Sequence, residues 1–209
     1  LYEKAIALDP DFADAHAGYA RAAVDVWRLG FDNVLAGPVA RKRAYEAAAR
    51  ALSLDANIPR AYSVLGVLQV ADGRYDEAIE SARKAVSLGP NSADAYVNLA
   101  IVFMFSGRPD EALAAMETVL RLNPRPSPGV LGYYGAVLFM NRQYEKAIEP
   151  LKKARAASYF AREHLAAGRS ICPSSSVDVG ALRILRSADG QDRLGQDNDP
   201  GIDYWSSDG

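Results

Sequence analysis

YSVLGVLQVADGRYDEAIESARKAVSLGP, residues 62–90, aligns without a gap on YVNLAIVFMFSGRPDEALAAMETVLRLNP, residues 96–124, at a constant offset of 34. Tyr62 falls on Tyr96, Leu65 on Leu99, Gly73 on Gly107, Arg74 on Arg108, Ala78 on Ala112 and Pro90 on Pro124. Asp76 and Glu77 fall on Asp110 and Glu111. A period of this length marks an array of stacked units, each of which buries its apolar face only against its neighbours.

Within the unit, Tyr62, Leu65, Leu68 and Val70, then Ala78, Ile79, Ala82, Ala85 and Val86, recur at spacings of three and four. That spacing predicts two amphipathic helices. Ala78 and Ala112, with Gly66 and Ala100 opposite them, are small enough to let the two helix backbones approach closely. Gly73 and Gly107 are placed to end the first helix in a left-handed conformation. Pro90 and Pro124 close the unit. Asn91 or Ser92 can cap the helix that follows, and Pro59 and Pro109 suit first-turn positions whose N–H has no partner to lose. Pro150 lies several residues inside a helix expected from about Tyr144 to Ala156, so a distortion is expected there.

Working outward, Ala44 precedes Ala78 by 34 residues and Ala147 follows Ala112 by 35, the extra residue lying in the loop NPRPSPG. Pro10 and its counterpart Ala56 are 46 apart, which places a twelve-residue insertion around WRLGFDNVLAGPV. The expected units are a partial one at 1–12, one with the insertion at 13–56, then 57–90, 91–124 and 125–157, and a second partial one at 158–169. The chain opens on Leu1 in mid-pattern, as if a longer protein had been cut inside a repeat.

A 34-residue unit with aromatic, leucine and glycine, then glycine, tyrosine, acid and alanine, then a closing proline, resembles the tetratricopeptide repeat (TPR) family. The resemblance covers most of residues 1–169. It implies an all-α fold, a right-handed α-solenoid superhelix of about four helix-turn-helix repeats, with a partial repeat at the N-terminus and an irregular C-terminal tail. More narrowly, GRPDEALAAMETVLRLNPRPSPGVLGYYGAVLFMNRQYEKAI and the insertion look like the arrays that follow the catalytic domain of some bacterial adenylate or guanylate cyclases. No cyclase catalytic segment is present in the sequence.

Bulk composition excludes several classes of function. Of 209 residues, 49% are hydrophobic and 24% charged, which suits an ordinary packed core. The formal net charge of -2 gives no global attraction to nucleic acid or an anionic membrane. Cys172 is the only cysteine, so an internal disulfide or a thiolate cluster is out of reach, and a reducing, cytoplasmic setting is expected. No apolar run reaches the roughly 18 residues that span a bilayer, and LYEKAIALDP lacks a targeting pattern.

The pattern stops near Arg169. Residues 170–209 hold seven aspartates, three arginines and no lysine or glutamate, giving that segment -4 and leaving +2 for the repeats. A flexible acidic tail is expected, with GALRILRSA as one short helix covering the end of the stack. ADGQD and DNDPGID lack the spaced ligands and closing glutamate of a calcium loop.

In an array of this kind the first helices line a concave surface. The frame projects Arg21, Arg60, Val64, Val67, Val97, Asn98, Ile101, Phe105 and Tyr133 onto it as the partner-binding groove. The six apolar members would suit an amphipathic helix or an apolar peptide, whereas a polar groove would suit a charged segment. The bland alternative is that these side chains pack between repeats. Some family members clamp a peptide carboxylate with lysine, arginine and asparagine. Here Val67 takes one expected polar place, so that mode is not expected. Catalysis is not expected either: His16 and His164 lie at opposite ends of the array, His16 takes the packing place of Tyr62 and Tyr96, and no cofactor or metal motif appears. The function expected is therefore a scaffold or adaptor binding a protein or peptide partner. The alternative is the regulatory region of a larger signalling enzyme such as a bacterial nucleotide cyclase. Self-association through the open N-terminal end is a further possibility.

Overall fold

A computed structural model of the chain describes residues 1–157; the expectations for the segment 158–209, including the tail and His164, fall outside the described residues. Among the described residues there are nine helices and no strand. They are α1 (Tyr2–Leu8), α2 (Ala13–Leu29), α3 (Gly37–Leu54), α4 (Pro59–Ala71), α5 (Tyr75–Leu88), α6 (Ala93–Phe105), α7 (Pro109–Leu122), α8 (Pro128–Met140) and α9 (Tyr144–Ala157). The last eight form four antiparallel hairpins, α2/α3, α4/α5, α6/α7 and α8/α9.

Stacking follows from how the hairpins touch. Each first helix packs on the next first helix, α2 on α4, α4 on α6 and α6 on α8, and each second helix packs on the first helix that follows it. No comparable contact joins α3 to α5 or α5 to α7 among the described residues. The first helices are therefore the more closely spaced row, and a stack narrower on one side curves toward that side. α2, α4, α6 and α8 thus form the concave face of an all-α solenoid.

Local sequence accounts for the helix ends. Gly73 and Gly107 follow α4 and α6 at φ 74° and 71°, a conformation that side chains with a Cβ adopt only at a cost. At the matching place after α8 stands Arg142, at φ 57°. Ser92, rather than Asn91, caps α6, its Oγ accepting from the Ala95 N–H at 3.2 Å. Pro59, Pro109 and Pro128 each occupy the first position of a helix. Pro150 does not end α9, which is helical from Tyr144 to Ala157. A proline there removes one hydrogen bond, to the Lys146 carbonyl, while Ala147, Leu151 and Ala154 stay buried on either side of it.

The twelve extra residues of the first hairpin divide evenly. α2 has 17 residues where α4 has 13, α3 has 18 where α5 has 14, and the turn Gly30–Ala36 has seven residues where Asp72–Arg74 has three. One added turn per helix makes this hairpin about 6 Å longer than its neighbours. Its turn is held by the Gly37 N–H, which donates to Asp32 Oδ1 at 2.8 Å.

The core is built at the helix crossings. Ala44, Ala48, Ala78, Ala100 and Ala112 are fully enclosed, and a Cβ added at Gly66 would stand 3.1 Å from the Ala78 carbonyl oxygen. Around these crossings Leu68, Met116, Val102, Val119, Val137 and Leu138 fill the interior, each burial favouring the fold by about 1.5–3 kcal/mol. Polar ties pin successive hairpins. Tyr45 of α3 donates to Asp72 Oδ2 at 2.5 Å, Arg74 donates to the Tyr45 hydroxyl at 3.0 Å, and Arg41 of α3 pairs with Asp72. Arg41 also lies over the Trp27 ring, 5.5 Å from its centroid.

Candidate functional site

The first turns of α2, α4 and α6 open onto a cleft of about 440 Å³ in the concave face. Asp14, Arg60 and Asp94 stand at its rim, each the second residue of its helix and each exposed. None of the three has a hydrogen bond or ion pair among the described residues. One turn further along the helices lie Ser63 and Asn98, each only 4% exposed. Neither side chain has a hydrogen-bonding partner among the described residues. On α2, Arg21 Nε donates to Asp25 Oδ2 at 3.0 Å across one helical turn, so this pair is internally neutralised. Tyr2 of α1 closes the end of the cleft.

Ser63 and Asn98 line the same cleft, where their polar atoms are open to solvent and to a ligand. An asparagine side chain offers one acceptor and two donors, the complement of a peptide main chain.

Of the nine residues projected onto the groove, Arg21, Arg60 and Asn98 line this cleft. Val64 and Val67 pack among Ala20, Ala23 and Val24 of α2, with Val64 only 1% exposed. Val97, Ile101 and Tyr133 belong to the main core cluster, with Ile101 only 3% exposed, and Phe105 is half-buried against that cluster. The apolar set thus fills the seams between successive first helices, and the open surface at the N-terminal ends of these helices is polar.

Asp25, which lines the cleft, and Arg28, which does not, were both absent from the projection. Asp25 follows Arg21 by four residues, a spacing that signals an ion pair on a helix. Arg28 lies in the turn that the insertion adds to α2, and its guanidinium stands 5.4 Å from the centroid of the Tyr133 ring on α8. This contact joins the first hairpin to the fourth across the concave face. Burial pulls the Arg28 guanidinium below its ordinary pKa, with Asp25 opposing the shift and Arg21 adding to it. His16 Nε2 donates to the Pro10 carbonyl at 2.9 Å, tying α2 to the turn that precedes it. Among the described residues no group of three or more His, Cys, Asp and Glu side chains is arranged to hold a metal ion, and no helix is long and apolar enough to cross a membrane.

Comparison with known proteins bears on the fold. Sequence comparison with curated proteins finds no match. Two models of the tetratricopeptide repeat match residues 40–93 and 69–128. Among solved structures, pilF of Pseudomonas aeruginosa is 25% identical with a TM-score of 0.56, over 93% of this chain and 81% of that one. YrrB, described as a TPR protein with an unusual peptide-binding site, is 19% identical with a TM-score of 0.54, over 93% of this chain and 94% of that one. TTC0263, a thermophilic TPR protein of Thermus thermophilus, is 21% identical with a TM-score of 0.56, over 86% of this chain and 93% of that one. Two matching repeat models over residues 40–128, the four stacked hairpins and the 34-residue period agree on an array of tetratricopeptide repeats.

Proposed function

We propose that the array is a protein-interaction scaffold that holds an extended segment of a partner protein in the polar cleft of its concave face. The observation that carries this reading is the pair of buried, unpartnered side chains, Ser63 and Asn98, at the cleft wall. A partner's main chain supplies both with hydrogen bonds that the free protein lacks. Such bonds fix the position and direction of the segment as it displaces water from these groups. Arg60 and Arg21 border the same surface, while Val64, Val67, Val97, Ile101 and Tyr133 hold the helices that carry it at fixed spacing. Phe105, half-buried on α6, is the apolar residue of the set with surface left to touch a partner. The scaffold acts by binding, not by catalysis. That YrrB, a protein of the same fold, is described as having a peptide-binding site is consistent with this role.

The test is a peptide-display selection on the full chain, with an Asn98→Leu variant, shown to be folded, as the counter-target. Sequences enriched on the parent and not on the variant support the reading. Peptides that bind both equally place the binding surface elsewhere and overturn it.

A further inference from the structure

We propose that the segment held in this cleft carries charges in the order basic, acidic, basic at three-residue spacing, an inference that rests on the cleft being the binding surface. Asp14, Arg60 and Asp94 occupy the same position, the second, in three consecutive first helices, and so form a row of alternating sign across the cleft mouth. All three are exposed and unpaired among the described residues, whereas the neighbouring Arg21 and Asp25 neutralise one another at 3.0 Å. In α8 the same position is Gly129, so the row of charges ends at α6.

Spacing converts the row into a sequence pattern. Packed helices lie about 8–10 Å apart, and a segment in the polyproline II conformation advances about 3.1 Å per residue and returns every third side chain to the same side, so it presents one side chain to each helix of the row every three residues. A basic side chain meets Asp94, an acidic one meets Arg60 three residues on, and a second basic one meets Asp14. The pattern reads the same in both chain directions, so it does not depend on the orientation of the segment. Between these contacts Ser63 and Asn98 lie below the row, where the main chain passes. The unpaired charge of the row is one negative in excess, which favours a segment with a net positive charge.

Two capped peptides test the proposal by fluorescence anisotropy on the full chain: Lys-Ser-Thr-Glu-Ser-Thr-Lys and its charge inverse, Glu-Ser-Thr-Lys-Ser-Thr-Glu. Three exposed pairs made in one case and three like-charge contacts in the other predict a preference of about tenfold or more for the first peptide, shrinking as salt is raised. In a triple variant, Asp14→Lys, Arg60→Glu and Asp94→Lys, the preference reverses; all three positions are exposed, so the fold is retained, as circular dichroism will show. Equal affinity of the two peptides for the parent, or no binding of the first, overturns the charge pattern. The cleft reading is judged separately by the Asn98→Leu selection, which does not depend on peptide charge.

Discussion

Replacing Asn98 by leucine sets stability against binding. In the free protein the Asn98 carboxamide is 4% exposed and has no hydrogen-bonding partner among the described residues. Its polar atoms face the cleft, so a change to leucine gives up no hydrogen bond within the chain and gains the burial of an apolar side chain, about 1.5–3 kcal/mol. Leucine keeps the branching at Cγ and adds apolar volume beside a cleft of about 440 Å³, which has room to accept it. Some of the gain is offset by imperfect packing, so a net stabilisation of about 1–2 kcal/mol is expected. For an array of this size each kcal/mol moves the midpoint by about 2–4 °C, so thermal unfolding followed by circular dichroism at 222 nm should show Tm rising by about 2–8 °C. Peptide binding is lost in the same variant. A Tm that falls refutes the reasoning, because it means that the carboxamide is already satisfied within the free chain.

Ile101→Ala should lower stability by about 2–5 kcal/mol, measured as the shift of the denaturant midpoint, since Ile101 is enclosed in the core cluster; an unchanged midpoint contradicts the packing role assigned to it. Arg142→Gly should raise stability by about 1 kcal/mol in the same measurement, because φ of 57° suits glycine and strains arginine; a loss of stability shows that the arginine side chain contributes more than its backbone costs. Asp72→Ala removes the shared acceptor of Tyr45, Arg74 and Arg41 and should destabilise by about 1–2 kcal/mol. Faster hydrogen exchange in α3 and in the turn after α4 is the local readout of that change, and unaltered exchange there contradicts the pinning role.

What was legible in the sequence was whatever repeats. The offset of 34 residues located the hairpins α4/α5 and α6/α7 and their glycine stops, because each is a local choice made twice. Arg142 escaped because a search for left-handed helix ends looks for glycine. Pro150 was expected to distort its helix, and α9 is nonetheless helical across it, the neighbouring Ala147 and Leu151 both packing into the array. The groove was legible in direction only. A helical projection shows which face a side chain leaves from, but not how near the next first helix comes, and that distance decides that Val64 and Ile101 are seam and Asn98 is wall. Arg28 and Tyr133 could not have been paired from the sequence. Their meeting depends on the curvature of the whole stack and on the turn that the insertion adds to α2.

The most direct test of the cleft as the binding surface is a two-dimensional amide NMR titration of the full chain with a peptide from the display selection. The account predicts that the Asn98 side-chain NH₂ signals and the backbone amides in the first turns of α2, α4 and α6 move together and saturate at one affinity. A bound peptide that leaves those signals in place while shifting residues of α3, α5 or α7 contradicts it.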